Sequence, residues 1–126
     1  MEEISTKDAP AGIGPYSQGI RDGDTVYVSG QGAIDPDTGD IIDGDVREET
    51  TRTLENVDAV LRAAGGSLDD VVKATVFLQD MNDYEQVNDA YGEMMSAPFP
   101  ARSAVQVADL PVDIKIEIEV IASIPE

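Results

Sequence analysis

Arg102 and two nearby glutamates are the residues whose types and spacing best suit chemistry on a small anion. Arg102 is the only arginine after Arg62, and it lies among small and apolar residues in a chain otherwise rich in carboxylates. Glu117 and Glu119 alternate with apolar residues, so they share one face of a strand, roughly 6 to 7 Å apart. An arginine and a glutamate on neighbouring strands would hold a carboxylic acid and position a water beside it.

Two predicted strands carry these residues. The first follows a proline-rich turn within residues 98–105, and its alternation places Arg102 and Ala104 on the same face. The second covers residues 114–122, where isoleucine and valine alternate with Lys115 and the two glutamates. Its apolar residues face a core and its charged residues face away. For the first strand, the pattern does not show which of its two faces points outward.

Turn signals divide the N-terminal part of the chain. Asp22-Gly23-Asp24 separates two apolar stretches, which predicts a hairpin from residues 17–21 and 25–29. The acidic stretch 35–40 is similar to the start of a calcium loop, but Val46 stands where the closing glutamate belongs. We therefore interpret it as an acidic turn.

Two helices are predicted by their caps and apolar periodicity. Asp45 followed by Glu48 predicts a capping box, and Gly65-Gly66 ends that helix. Asn82 with Glu85 predicts a second cap, and Pro98 and Pro100 end the second helix. The apolar stripe of the first helix comprises Val46, Leu54, Val57, Val60, Leu61 and Ala64, and that of the second Tyr84, Val87, Asn88, Tyr91, Met94 and Met95.

This order of elements predicts a two-layer α+β sandwich. Two or three strands, a helix, a strand of residues 71–78, the second helix and two strands follow one another. Crossovers through each helix place both helices on one face of a mixed six-stranded sheet. The 126 residues form one domain, 1–126, and the uncovered sheet face meets water or another subunit.

Missing residue types exclude several kinds of chemistry. The chain has no cysteine and no histidine, so disulfides, thiolate nucleophiles, imidazole catalysis and metal sites built on these residues are excluded. Catalysis would depend on carboxylates, Tyr, Ser, Lys, Arg, amides or the backbone. The acidic N-terminus lacks an apolar targeting segment, and we expect a cytoplasmic protein.

The net charge of −18 restricts the partners of this protein. Nucleic acids and anionic membranes need a basic surface, and we expect neither as a partner. The acidic residues are interspersed with apolar residues that keep the periodicity of helices and strands. This pattern favours a folded protein from a salt-rich cytoplasm. An ordinary acidic protein is the alternative.

Six short blocks together resemble the signature of the Rid (YjgF-like) family, specifically its RidA-type branch. They cover residues 14–19, 28–31, 54–57, 87–88, 100–103 and 116–119. The resemblance implies a chorismate-mutase-like subunit in a homotrimer with sites in clefts between subunits. It further implies hydrolysis of 2-iminobutanoate, 2-iminopropanoate and related enamine or imine acids, released by pyridoxal-phosphate enzymes, to 2-oxo acids and ammonia. Members of this branch need no metal and no cofactor.

The resemblance also implies roles for individual residues. Arg102 would bind the substrate carboxylate and Glu117 would activate water, while the Gly30 backbone touches the ligand. Tyr16 would line the pocket and Asn88 would border the cleft. At the substrate-binding position two residues after the arginine, Ala104 replaces a cysteine common in this branch, so a thiol-dependent property would be absent while hydrolysis is retained.

Structural roles are the alternatives for the same residues. Arg102 would then pair with an acid, Glu117 would belong to a solvated strand face, and Tyr16 would pack in the core. Asn88 would satisfy buried hydrogen bonds. For the whole protein, two other functions stay open: a non-catalytic module that binds a 2-oxo acid, and a ribonuclease or translation inhibitor, against which the net charge argues.

Overall fold

A six-stranded mixed sheet covered on one face by two helices forms the structure. The computed structural model describes all 126 residues. The strands are β1 (Glu2–Ile4), β2 (Gly19–Asp22), β3 (Thr25–Gln31), β4 (Val71–Leu78), β5 (Ala101–Gln106) and β6 (Ile116–Ser123). The helices are α1 (Val46–Ala63) and α2 (Tyr84–Met94), with 3-10 turns at Leu68–Asp70 and Met81–Asp83. The predicted α+β two-layer sandwich is confirmed.

The strands are arranged in the order β1-β2-β3-β6-β4-β5. Only β4 and β5 are parallel neighbours, and every other pair is antiparallel. Since β3 and β4 both run antiparallel to β6, they run parallel to each other, and α1 is the crossover between them. Helix α2 connects β4 to β5 in the same way. The N-terminal strand β1 completes the six strands by pairing with β2.

Strict alternation in β6 separates the core from the open sheet face. Ile116, Ile118, Val120 and Ala122 point to the helices and are at most 3% exposed. The intervening Glu117 and Glu119 lie on the open face, as predicted. Core residues of α1, α2, β3 and β4 pack on the same side, and together they form the cluster that holds the two layers together.

Helix α1 begins and ends where the sequence predicts. The Asp45 side chain accepts from the Glu48 backbone N–H at 2.9 Å, and the Glu48 side chain accepts from Asp45 N at 3.2 Å. This capping box satisfies two helix-end N–H groups. After the helix, Gly65 has φ of 89°, a left-handed conformation that favours glycine. The predicted apolar stripe is buried throughout.

Helix α2 differs from the prediction at its N-terminus. It begins at Tyr84, and its N-cap residue Asp83 makes no side-chain capping bond. The predicted cap by Asn82 and Glu85 is therefore wrong. Asp80 accepts from Asn82 N at 2.9 Å, and this bond starts the 3-10 turn before the helix. The chain is already turning at Asn82, so that residue cannot adopt the extended conformation of an N-cap.

Lys115 does not lie with the two glutamates on the open face. It precedes β6, and its Nζ donates to Glu49 Oε2 of α1 at 2.9 Å. The Glu49 carboxylate, which bonds and attracts the ammonium group, raises the pKa of Lys115. The prediction for Lys115 failed because alternation applies only within a strand, and the buried Glu49 carboxylate draws the side chain toward the helix layer.

The open sheet face carries apolar groups that nothing in the chain covers. Tyr27 of β3 and Val105 of β5 are 47% and 44% exposed. Between them, Ile121 pairs with Tyr27, and Phe77 pairs with Val105. An exposed sheet surface of this kind is typical of an interaction site. Separately, neither helix is long and apolar enough to cross a membrane.

We predict that KCl raises the melting temperature of this protein by several degrees or more. The chain has 26 acidic and 8 basic residues, and the structure contains only four ion pairs. Salt screens the remaining repulsion between carboxylates. Thermal unfolding measured from low to multimolar KCl tests this, with sucrose as an uncharged control. A melting temperature that is independent of KCl would contradict the salt-adapted interpretation.

Candidate active site

A cavity of about 600 Å³ opens on the chain beside the contact between β3 and β6. Its walls come from the N-terminal segment, the end of β3 and the segment that leads into β6. The lining includes Tyr16, Gln18, Gly30, Ile114, Glu117 and Glu119. Glu117 and Glu119 are the only charged residues of its lining. The cavity therefore has a negative electrostatic character and, within one chain, no cation for an anionic ligand.

Glu117 lies directly against the bare backbone of Gly30. A Cβ atom on Gly30 would stand 2.6 Å from Glu117 Oε2 and 2.7 Å from its Cδ. The pairing of β3 with β6 is irregular between Val28 and Gln31, so the Gly30 backbone departs from the ladder at this point. Because Gly30 has no side chain, the Glu117 carboxylate can lie against the strand backbone, and both residues line the cavity.

Burial raises the pKa of Glu117, and the negative charge of Glu119 raises it further. Desolvation disfavours the charged carboxylate, and a like charge on the same strand face adds to that effect. A carboxylate with a raised pKa is a stronger base than an ordinary solvent-exposed one. Of the two glutamates, Glu117 is therefore better suited to accept a proton from water.

Buried polar side chains hold the walls of the cavity in place. Gln18 Nε2 donates to the carbonyls of Thr6, Ala9 and Pro10, at 2.8 to 3.2 Å, and this fixes the N-terminal segment. Asn56 of α1, fully buried, donates to the carbonyls of residues 32 and 34 at 2.9 Å. These bonds order irregular backbone that would otherwise be mobile.

Glu49 likewise holds backbone in place, at the wall of the cavity that leads into β6. Its carboxylate accepts from the Lys115 backbone N–H at 2.8 Å and from the Lys115 ammonium group. Lys115 directly follows Ile114 of the cavity lining and precedes Glu117 by two residues. Glu49 was not among the residues predicted from the sequence; its signal was a glutamate on the buried side of a helix.

Tyr16 lines the cavity near its rim. It is 53% exposed, so it is not a core residue. Its hydroxyl accepts a hydrogen bond from the Ile13 backbone N–H at 3.3 Å. Tyr16 is therefore a partly exposed residue of the cavity wall.

Arg102 lies outside this cavity, on the helix side of the edge strand β5. Its Nη2 donates to Asn88 Oδ1 at 2.7 Å and to the Tyr84 hydroxyl at 3.1 Å. The guanidinium carbon is 4.8 Å from the centre of the Tyr91 ring and 5.7 Å from that of Tyr84. Burial raises the pKa of the Tyr91 hydroxyl, and the charge of Arg102 opposes this. No carboxylate pairs with Arg102.

Asn88 and Ala104 accompany Arg102 rather than Glu117. Asn88 projects from α2 and binds the guanidinium directly. Ala104 shares the face of β5 that carries Arg102 and packs against the core. The predicted residues thus fall into two groups: Tyr16, Gly30 and Glu117 at the cavity, and the other three beneath α2.

The two groups lie on opposite faces of the sheet within one chain. Strand β4 separates β5 from β6, so the expectation of Arg102 and Glu117 on neighbouring strands is wrong. Arg102 pairs with Ala74, and Ala74 pairs with Val120, three residues from Glu117. Two strand spacings and three residue rises give a Cα separation of roughly 14 Å. The strand order of the sheet could not be read from alternation alone.

Comparison with known proteins gives the family of this chain. The model of the family described as Endoribonuclease L-PSP matches residues 6–124. A RutC family protein from Pyrococcus abyssi is 51% identical, covering 96% of this chain and 95% of that protein. The 2-iminobutanoate/2-iminopropanoate deaminase of Bos taurus is 50% identical, covering 94% and 87%. The chain belongs to the Endoribonuclease L-PSP family. The Rid resemblance seen in its motifs is thereby confirmed.

A solved structure with a bound ligand also shares the fold. The crystal structure of E. coli TdcF with bound serine has a TM-score of 0.91 and 44% sequence identity, covering 98% of each chain. A small amino acid is thus the bound ligand of that related protein. The present chain contains no group of three or more acidic side chains placed to bind a metal ion.

We predict that Gly30→Ala displaces the Glu117 carboxylate without unfolding the Rid domain. The added methyl group would meet the flexible end of the Glu117 side chain, which can move away from the strand. A crystal structure of the variant measures the displacement, and thermal unfolding measures stability. Gly92→Ala is the matched control, because an added Cβ meets nothing within 4 Å there. An unmoved Glu117 in Gly30→Ala would contradict the prediction.

Proposed function

We propose that this protein hydrolyses 2-imino and enamine acids, such as 2-iminobutanoate and 2-iminopropanoate, to 2-oxo acids and ammonia. The active site in this proposal lies between two copies of the chain in a homotrimer. Glu117, Gly30 and Tyr16 come from one copy, and Arg102, Asn88 and Ala104 from its neighbour. The names of deaminases about 50% identical to this chain support the reaction class.

The observation that carries this proposal is a cavity with a base but no cation. A 2-imino acid has a carboxylate, which the two glutamates of the cavity would repel. Arg102 has no carboxylate partner within its own chain, and its side chain is held in position by Asn88 and two tyrosines. A second copy that brings this guanidinium to the cavity supplies the missing charge.

The open sheet face supports assembly of this kind. Apolar side chains of β3, β4, β5 and β6 lie on the same sheet face as Glu117 and Glu119. No other part of the chain packs over them. Association through this face would bury them together with the mouth of the cavity. A head-to-tail interface forms a ring when its rotation closes, and three copies related by a threefold rotation would form three equivalent sites.

In the proposed mechanism, each group has one task. Arg102 binds the substrate carboxylate through two N–H groups and orients the imine carbon toward Glu117. Glu117 accepts a proton from water while the water oxygen bonds to that carbon. Glu117 then passes the proton to the imine nitrogen, and a carbinolamine results. The hydroxyl of the resulting carbinolamine then gives its proton to Glu117, which passes it to the amino nitrogen. The carbon–nitrogen bond breaks, ammonia leaves, and the carbinol oxygen becomes the ketone of the 2-oxo acid.

RNA cleavage, which the family description names, has less support in this chain. Arg47, Arg52, Arg62 and Lys115 are each paired with acidic side chains. Arg21 is buried, and donates to backbone carbonyls. No basic surface of the kind that binds a phosphate backbone is formed.

We predict that Arg102→Ala and Glu117→Ala each lose at least about a hundredfold in imine hydrolysis, the usual contribution of a general base or anchoring charge. Ammonia or 2-oxo acid release is measured in KCl while an amino-acid oxidase generates imine in place. Arg47→Ala and Glu93→Ala remove exposed charges elsewhere and serve as controls. Wild-type protein that binds a 2-oxo acid without accelerating hydrolysis would instead indicate a binding module.

Mixing the two inactive variants tests whether the site is shared. After subunit exchange at equal concentrations, a site is complete only when Arg102 and Glu117 come from different variants. Random assembly restores about one quarter of the sites, because each of two independent choices succeeds half the time. If both residues belong to the same subunit's site, mixing restores nothing, and the shared site is refuted.

We also predict that Glu119→Gln shifts the acid limb of the pH–rate profile to lower pH. Activity rises with pH as the Glu117 carboxyl ionises, and the Glu119 charge raises the pKa of that carboxyl. Removing the charge lowers this pKa, so the limb must move toward acid. The profile of kcat/KM reports this shift in the free enzyme. Glu93→Gln controls for net charge, and an equal shift in both variants would argue against the local effect.

A further inference from the structure

The Arg102 guanidinium is already hydrogen-bonded on the nitrogen that a carboxylate needs. Nη2 donates both to Asn88 Oδ1 at 2.7 Å and to the Tyr84 hydroxyl at 3.1 Å. A guanidinium offers two edges for bidentate binding: Nε with Nη2, and Nη1 with Nη2. Each edge uses one of the two Nη2 hydrogens. Two acceptors already bind Nη2, so a carboxylate at either edge meets competition for that nitrogen.

A carboxylate that binds Arg102 bidentately therefore competes with these two bonds, and the weaker of them gives way first. The bond to Asn88 is the shorter and lies in a half-buried position. The bond to Tyr84 is longer and exposed, and the Tyr84 side chain is 40% exposed. Water readily replaces Arg102 as a partner of the Tyr84 hydroxyl, so this bond costs less to break.

We infer that the Tyr84 hydroxyl sets substrate affinity by competing with the substrate carboxylate for Nη2 of Arg102. This inference rests on the proposed function, because it takes a 2-imino or 2-oxo acid as the ligand. Tyr84 is a positioning residue here: its ring helps to hold the guanidinium, while its hydroxyl weakens binding. The residue's two parts thus have opposite effects.

Tyr84→Phe separates the two parts. The variant keeps an aromatic ring beside the guanidinium, and Asn88 and Tyr91 still hold Arg102, but the competing hydroxyl is gone. Because an exposed hydrogen bond contributes about 0.5 to 1.5 kcal/mol, the Kd for 2-oxobutanoate should fall by about two- to tenfold. In turnover, KM for the imine should fall by a similar factor while kcat changes little.

Substrate discrimination provides a second readout. The competition involves the carboxylate, which all 2-imino acids share, and not the side chain. The ratio of kcat/KM for 2-iminobutanoate over 2-iminopropanoate should therefore stay constant in Tyr84→Phe. A mere packing defect would raise KM or change this ratio.

Calorimetric titration of 2-oxobutanoate into wild type, Arg102→Ala and Tyr84→Phe is the deciding experiment. Glu93→Gln, which alters an exposed side chain of the same helix α2, is the control. Binding through Arg102 that is tighter in Tyr84→Phe alone supports the inference. Unchanged or weaker binding in that variant overturns it and leaves the proposed function intact. Wild-type protein that binds no 2-oxo acid, or binds it equally without Arg102, overturns both.

Discussion

The alternation of β6 is the constraint on which the rest of the structure depends. This strand pairs with both β3 and β4, so its residues determine the register at the centre of the sheet. Its inward residues hold the helix layer, and its outward glutamates form the floor of the cavity. A shift of the strand by one residue would bury Glu117 and expose the core. The burial of Ile116 and Ile118 therefore also positions the candidate base.

Helix α1 connects the core to the cavity through a few buried polar groups. Most of its inward face is apolar, but Glu49 and Asn56 interrupt that face and bind backbone on two cavity walls. Buried groups of this type stabilise little unless fully bonded, and removing a partner leaves an unsatisfied group behind. Their value lies in specificity, because they fix loops that carry no regular hydrogen-bond ladder. Asn56 belongs to a motif that marked the family, and this contact gives that motif a physical role.

Sequence patterns predicted the layers better than they predicted neighbours. Apolar alternation in β4 and β6, the Asp45 capping box and the turn at Gly23 depend on local periodicity and hydrogen bonds, and each lies where it was expected. The strand order and the contact between Lys115 and Glu49 depend on packing between distant segments, which no local pattern contains. The cap of α2 failed for a related reason, since the competing cap at Asp80 gave the same local signal. Of the candidate site, the residue types were predictable from the motifs, but not their division between two sheet faces.

In the proposed function, the division of the site between two chains would let a strongly acidic protein bind an acid. Were Arg102 and Glu117 in contact within one chain, they would form an ion pair that lowers the pKa of the base and neutralises the cation. On opposite sheet faces they cannot do so, and the guanidinium rests instead on neutral partners, an amide and two aromatic rings. In the proposed shared site, the carboxylate of the substrate would lie between them and satisfy the arginine. Lying between the two groups, that carboxylate would keep the guanidinium from pairing directly with Glu117, whose pKa its own chain raises through burial and the charge of Glu119.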